Sequence, residues 1–142
     1  MIAPDESLRE VRSMKSSLLG PKHTLRVGAW NVGTMYEPSK SAQVIKEMTR
    51  YRLDILGVSE SRWIGSGRQV TQNGSVILYS GHESKHVNGV AFIFAKENVN
   101  SLLEWEQISE RMIRARFHSK HCKLTVIHTY WGRQWCGIIH YH

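Results

Sequence analysis

Two short runs in this chain end in side chains able to handle a metal ion or a phosphate. Ala29-Trp30-Asn31-Val32 carries Asn31, and Asp54-Ile55-Leu56-Gly57-Val58-Ser59-Glu60 carries Glu60. An amide oxygen and a carboxylate are hard ligands, the kind Mg²⁺ accepts beside water and substrate phosphates. Phosphodiester hydrolysis needs such an ion to stabilise charge on the phosphoryl oxygens and to lower the pKa of an attacking water. Spacing alone favours a plainer reading, in which Asn31 forms a turn and Glu60 ends a strand in solvent.

The elements around the two runs decide whether they meet. Leu25 to Asn31 is a strand candidate that stops at the turn-prone Gly33. Pro38 and Ser39 then supply helix-start signals, and Val44, Ile45, Met48 and Tyr51 recur at helical spacing. Asp54 to Ser59 is a short apolar run suited to a strand buried on both faces. A strand–helix–strand unit crosses over right-handedly and carries both strand ends on one rim, where α/β proteins place their chemistry. Asn31 and Glu60 are therefore expected to face one another across the top of a sheet.

Beyond Trp63 the pattern changes. Asn73-Gly74 between Gln69-Val70-Thr71 and Ser75 to Tyr79 is a strong hairpin signal. Val87 to Ala95 is another strand, and Asn98 to Gln107 is expected as a loop or short helix around Trp105. Met112 to Phe117 and Cys122 to Tyr130 alternate, with Ile113, Ala115 and Phe117 on one face of the first and Leu124, Val126, His128 and Tyr130 on one face of the second. The order predicts an α+β fold, one mixed sheet with a packed helix. Residues 1–23 look like a polar leader or linker, 24–130 like the domain, and 131–142 like a divergent tail.

At 142 residues and 41% hydrophobic content, the chain suits one domain with a real core. Nineteen Lys and Arg against 12 Asp and Glu give +7, a sign that favours polyanions such as nucleic acid, or simply a solvated basic surface. Cys122 and Cys136 make no disulfide framework, and neither a signal peptide nor a bilayer-length apolar run is evident, so no membrane is expected. These features predict an intracellular protein, nuclear or cytoplasmic. His82, His86, His121 and Cys122 could supply zinc on residue type alone, although loop histidines are the commoner case. Trp63, Trp105, Trp131 and Trp135 could stack bases, with Trp63 and Trp105 better suited to packing.

The blocks from Leu25 to Val32 and from Leu53 to Trp63 resemble two signature motifs of the endonuclease/exonuclease/phosphatase, or DNase I-like, superfamily. The nearest resemblance is to endonuclease domains of non-LTR (LINE-type) retrotransposons, and supporting blocks follow in order to about Tyr130. The resemblance implies a four-layered α/β sandwich cutting DNA with Mg²⁺ (Mn²⁺ is a possible substitute). It implies Glu60 as the main metal-binding carboxylate, Asn31 as the residue orienting metal and phosphate, and Tyr130 as a phosphate-binding hydroxyl. Arg62 and Arg111 are candidate contacts to the nucleic-acid backbone.

The same resemblance exposes a gap. The family's later motifs carry further Asp, Asn and His residues, and no Asp or Glu follows Glu110 in this chain. His140 and His142 lack the motif context of a catalytic histidine. The expectation is an incomplete, N-terminal half-domain of a Mg²⁺-dependent DNA endonuclease, weakly active or inactive alone. The inner rows Ile113, Ala115, Phe117 and Leu124, Val126 would then lie open, inviting association through that face and leaving stability marginal. The alternative is a non-catalytic nucleic-acid-binding or protein-interaction fragment.

Overall fold

Apolar residues alternate along the central strands, and both faces of the alternation are buried. In the computed structural model the backbone is described for residues 8–15, 24–118, 123–131 and 134–141, and side chains for 26–118 and 123–130. Ten strands form two sheets. The first is mixed and six-stranded, built from β1 (Leu8–Lys15), β2 (Thr24–Asn31), β3 (Ile55–Ser59), β4 (Ser66–Val70), β5 (Val76–Ser80) and β6 (Val90–Phe94), in the order β1-β2-β3-β6-β5-β4. The second is antiparallel, β7 (Leu102–Ser109), β8 (Met112–His118), β9 (Lys123–Trp131) and β10 (Gln134–Tyr141), in the order β10-β9-β8-β7.

Among the described strands only β2 and β3 run parallel, joined by helix α1 (Pro38–Arg50). Proline at the first turn costs the helix no hydrogen bond, and Val44, Ile45 and Met48 form its buried stripe. That stripe packs on Trp30, Leu56, Val58, Ile77, Ala91 and Ile93, the outward-facing row of the first sheet. The opposite row, Ile55, Val76, Leu78, Val90, Phe92 and Phe94, meets Ile113, Ala115, Phe117, Leu124 and Val126 of the second sheet. The fold is thus α+β, with three of the four sandwich layers present among the described residues: helix, mixed sheet, antiparallel sheet. No helix among the described residues is long and apolar enough to cross a membrane.

Four expectations need correcting. There are two sheets rather than one, and the rows expected to lie open are closed by the first sheet: Ile113, Ala115 and Leu124 are all at 0% exposure. Of the stretch 98–107 expected as a loop or short helix, the part up to Ser101 does lie in a 3₁₀ helix (Lys96–Ser101). The rest belongs to edge strand β7, in which Trp105 leans on the core while Glu104 and Glu106 meet Arg116 and Arg114 across the strand pair at 2.9 and 2.8 Å. Cross-strand ion pairs of this kind allow a charged sequence to serve as a strand. The stretch expected as a leader includes β1, paired antiparallel with β2 over Leu8–Lys15, and the tail includes β10, paired with β9 from Gln134↔Trp131 to Tyr141↔Leu124. The polar, mixed-charge sequence hid β1, since an edge strand tolerates charge, and the tail's departure from the motifs of the resemblance hid β10.

The closure of the two sheets generates a stability prediction. Phe117 is buried edge-on against Phe94 with ring centroids 4.9 Å apart. Phe117→Ala is expected to cost about 3–5 kcal/mol in urea unfolding, while Leu103→Ala, exposed on β7, stays within about 0.5 kcal/mol. Equal effects at the two positions would contradict the face-to-face packing.

Candidate functional site

The polar residues of interest collect where β2, β3, β6, β8 and β9 reach one rim. Asn31 pairs in register with Ser59, and Ser59 with Val90, so the ends of β2 and β3 and the start of β6 are level. The chain then locks across these ends. Val32 N–H donates to Ser59 O, Met35 N–H to Ser61 O, Ser61 N–H to Gly89 O and Arg62 N–H to Asn88 O, at 2.8–3.2 Å. From the second sheet Tyr130 N–H donates to Arg111 O at 3.0 Å, which brings the β7–β8 turn and β9 to the same rim. Asn88 Nδ2 donates to Glu110 Oε1 at 3.1 Å, and Ser80 Oγ donates to Ser109 O, tying that turn to the first sheet.

Asn31 and Tyr130 meet directly. Asn31 Nδ2 donates to Tyr130 Oη at 3.0 Å, and Asn31 Oδ1 accepts Gly33 N–H at 3.1 Å, so both ends of the amide are oriented. The contact joins residues 99 positions apart and crosses from one sheet to the other. Glu60 follows immediately on Ser59, and its carboxylate makes no ion pair or hydrogen bond among the described residues, although the residue is half-buried. Its backbone is left-handed (φ 59°), as are Arg62 (φ 59°) and Asn88 (φ 52°). Each such residue costs on the order of 1 kcal/mol relative to an ordinary conformation, and three clustered at one rim are the kind of local strain that functional sites hold. Gly89 (φ 92°) makes the crowding possible, because a Cβ there would stand 2.6 Å from Ser61 Oγ and 3.0 Å from Arg62 N.

One layer below lies His128, 1% exposed, whose place on the inner row of β9 the alternation anticipated but whose role it did not. Its Nε2 stands 3.1 Å from Val58 O and 3.2 Å from Ser59 Oγ. A carbonyl can only accept, so Nε2 carries the proton. Gly57 leaves the space for the ring, since a Cβ there would sit 2.7 Å from Nδ1. Burial pushes the imidazole down from 6.5 to about 4, and the bond to the Val58 carbonyl offsets part of that. A His–Gly pairing at matched heights on two strands was the available signal, visible only once the sheets are superposed.

Of the other candidates, Arg62 is exposed and Arg111 lies in the β7–β8 turn, with its N–H on Ser109 Oγ at 3.1 Å, so both flank the rim. The zinc grouping does not assemble. His82 Nδ1 accepts the N–H groups of Ser84 and Lys85, His86 Nδ1 donates to Arg62 O and its ring lies against Tyr36, and His121 and Cys122 lie outside the described residues. Among the described residues no three His, Cys, Asp or Glu gather as a metal cage. Trp63 packs, donating Nε1–H to Met35 O at 2.6 Å with its ring edge-on to Tyr79, and Trp105 packs on the core. The side chains of Trp131 and Trp135, and residues His140 and His142 as candidate catalytic groups, are outside the side chains described.

Fold and rim together define an α+β sandwich protein with a polar Asn–Tyr–Glu site at the sheet ends. The chain is homologous to craniofacial development protein 2. It is 38% identical over 125 residues to that of Bos taurus, covering 88% of this chain and 21% of the relative, and 37% identical over 121 residues to that of Tragulus javanicus, covering 85% and 21%. The chain thus spans about a fifth of the length of these curated relatives. No family model and no solved structure matches it.

The buried imidazole has a pH consequence. Its folded pKa lies below the unfolded value, so the stability tied to the neutral ring is complete above about pH 6.5 and lost as the pH falls toward 4. The slope is about 1.4 kcal/mol per pH unit, roughly 3 kcal/mol across the window. Urea midpoints measured from pH 7.5 to 4 should fall accordingly, and His128→Gln should flatten the curve. An unchanged slope in that variant would assign the acid loss to other groups.

Proposed function

We propose that the rim is the metal- and phosphate-binding half of a DNA endonuclease site of the DNase I-like, retrotransposon type, with Mg²⁺ as the metal. The observation that carries this reading is the inter-sheet bond from Asn31 to Tyr130 at the strand end where Glu60 follows Ser59, its carboxylate unpaired among the described residues. The donor set fits a hard cation. Mg²⁺ is commonly held by one or two carboxylates with water and substrate phosphates completing its shell, and no all-protein cage is required. Glu60 would hold the ion, and Asn31 Oδ1 retains a second lone pair beyond its bond to Gly33. When bound, the ion would supply charge neutralisation at phosphorus and acidify an attacking water.

The chain's own residues do the positioning. Asn31 fixes the Tyr130 phenol and so sets where its oxygen would stand against a phosphoryl group. Arg62 and Arg111 flank the rim with charge suited to the neighbouring backbone phosphates. Deprotonation of the water and protonation of the leaving oxygen need further acid–base groups. Among the described residues, Glu110 at the rim is engaged by Asn88, His86 is held on Arg62 O, and His128 one layer below is buried with its Nε2–H on Val58. Members of a catalytic constellation fail together when some are absent, so these 142 residues are expected to bind DNA with Mg²⁺ and to turn it over poorly.

A supercoiled-plasmid assay with Mg²⁺, paired with DNA binding in Mg²⁺ and in chelator, tests this. Metal-dependent binding lost in Glu60→Ala and weakened several-fold in Tyr130→Phe is the expected result, with slight nicking at most, and that only in wild type. Salt-sensitive binding indifferent to Mg²⁺ and to Glu60 would instead support a non-catalytic nucleic-acid-binding fragment, whose affinity rests on counterion release.

A further inference from the structure

A second concave feature lies at the other end of the first sheet. Arg26 and Asn31 are separated along β2 by roughly 17 Å of extended strand. At the Arg26 end a cavity of about 830 Å³ opens between the last turn of α1, the start of β3, the end of β6 and the β4–β5 turn. A volume of that order suits a small organic molecule better than a lone ion.

The charges around it are unevenly spent. Asp54 is committed to the frame: its Oδ2 accepts Arg26 N–H at 2.9 Å, its Oδ1 takes Asn98 Nδ2 at 3.4 Å, and its carbonyl accepts Ala95 N–H at 3.1 Å. Arg26 Nε is buried and has no hydrogen-bond partner among the described residues, an arrangement that is costly unless something else accepts from it. Arg52 and Lys96 are exposed beside it and make no ion pair among the described residues. Arg52 is held in place by a left-handed backbone (φ 55°), with its N–H on Thr49 O at 3.1 Å. The negative pole of α1 is blunted at this end, because the carbonyls of Glu47, Met48 and Thr49 accept from Tyr51, Leu53 and Arg52. Glu97, the other carboxylate on the wall, is exposed.

Three cationic residues line the opening, whose remaining wall offers Asn73 and Ser75 as polar groups and Leu53 as an apolar one. Guanidinium forks match phosphoryl oxygens bidentately, and Arg26 is half-buried in the wall, where its charge is screened less than that of a fully exposed arginine. We propose that this cavity binds a phosphomonoester of about mononucleotide size, its phosphoryl group held by Arg26, Arg52 and Lys96. The inference is independent of the rim site, and a free nucleotide or the phosphorylated end of a nucleic-acid strand would present the same group.

Calorimetric titration of the whole chain with AMP, and with a short oligonucleotide carrying either a 5′-phosphate or a 5′-hydroxyl, tests it. AMP is expected to bind saturably. The doubly substituted Arg52→Glu, Lys96→Glu chain, altered only at exposed positions, should bind about tenfold more weakly or worse, while Glu60→Ala leaves AMP binding unchanged. Stronger binding of the 5′-phosphorylated oligonucleotide, lost in the same variant, would assign the site to strand ends; AMP binding without that difference assigns it to free nucleotides. Absence of saturable AMP binding to protein that unfolds cooperatively, together with equal binding of both oligonucleotides, would overturn the proposal. So would AMP binding indifferent to the double substitution.

Discussion

Gly57 has no side chain, and into the space it leaves the imidazole of His128 reaches from one sheet to the other. That contact sets the height at which the sheets meet. With Nε2–H directed at Val58 O and Ser59 Oγ, β9 cannot slide along β3 without stranding a buried donor. Because side chains on a strand alternate, fixing His128 also fixes Tyr130, two residues further along the same row. Tyr130 thereby arrives at Asn31, and Asn31 is level with Ser59 through the parallel pairing of β2 with β3. A polar bond below the rim thus governs the alignment of the polar residues on it.

The rim itself is held at some cost. Glu60, Arg62 and Asn88 adopt a backbone conformation that glycine would take more easily, and Gly89 is squeezed against Ser61 and Arg62. The backbone bonds that cross between residues 32–35, 59–62 and 88–89 impose this path. Its effect is to turn the chain sharply after β3, so that Glu60 leaves the alternation of the strand. An ordinary extended continuation would place Glu60 on the outward row beside Val58, under α1. The strained turn is what lets a carboxylate follow a fully buried strand and still reach the rim.

The parts of the fold visible in the sequence were those written in periodicity. The stripe of Val44, Ile45 and Met48, the doubly buried run at 55–59 and the alternation of 112–117 and 123–130 each stated an element and a face. What periodicity could not state was the partner of each face. Ile113, Ala115 and Phe117 implied a buried row, yet nothing local named Phe92 and Phe94 as the residues covering it, since that depends on contacts far apart in the chain. Strand β7 was hidden for a related reason: Glu104 and Glu106 discourage a strand until Arg114 and Arg116 stand opposite. Asn31 and Glu60 could be singled out by type and position, whereas His128 drew no attention because its meaning lies in Gly57.

Closure of the inner faces and the demands of hydrolytic chemistry are separate matters in this molecule. A sandwich needs its two inner faces closed, and rows from both sheets accomplish that within the described residues. The outer face of the second sheet carries the ladder of Glu104, Glu106, Arg114 and Arg116, and such a face can meet water without a helical cover. A hydrolytic site has no equivalent tolerance. Ground-state binding can be provided by one carboxylate, an amide and a phenol, but moving protons to and from water requires groups with suitable pKa values within reach of the reacting atoms. His128, the titratable group nearest in the layer below, is unsuited because burial keeps it neutral and its Nε2–H is engaged with Val58. On the proposed reading, the rim as described supplies groups that could orient a phosphate before it supplies groups suited to moving protons.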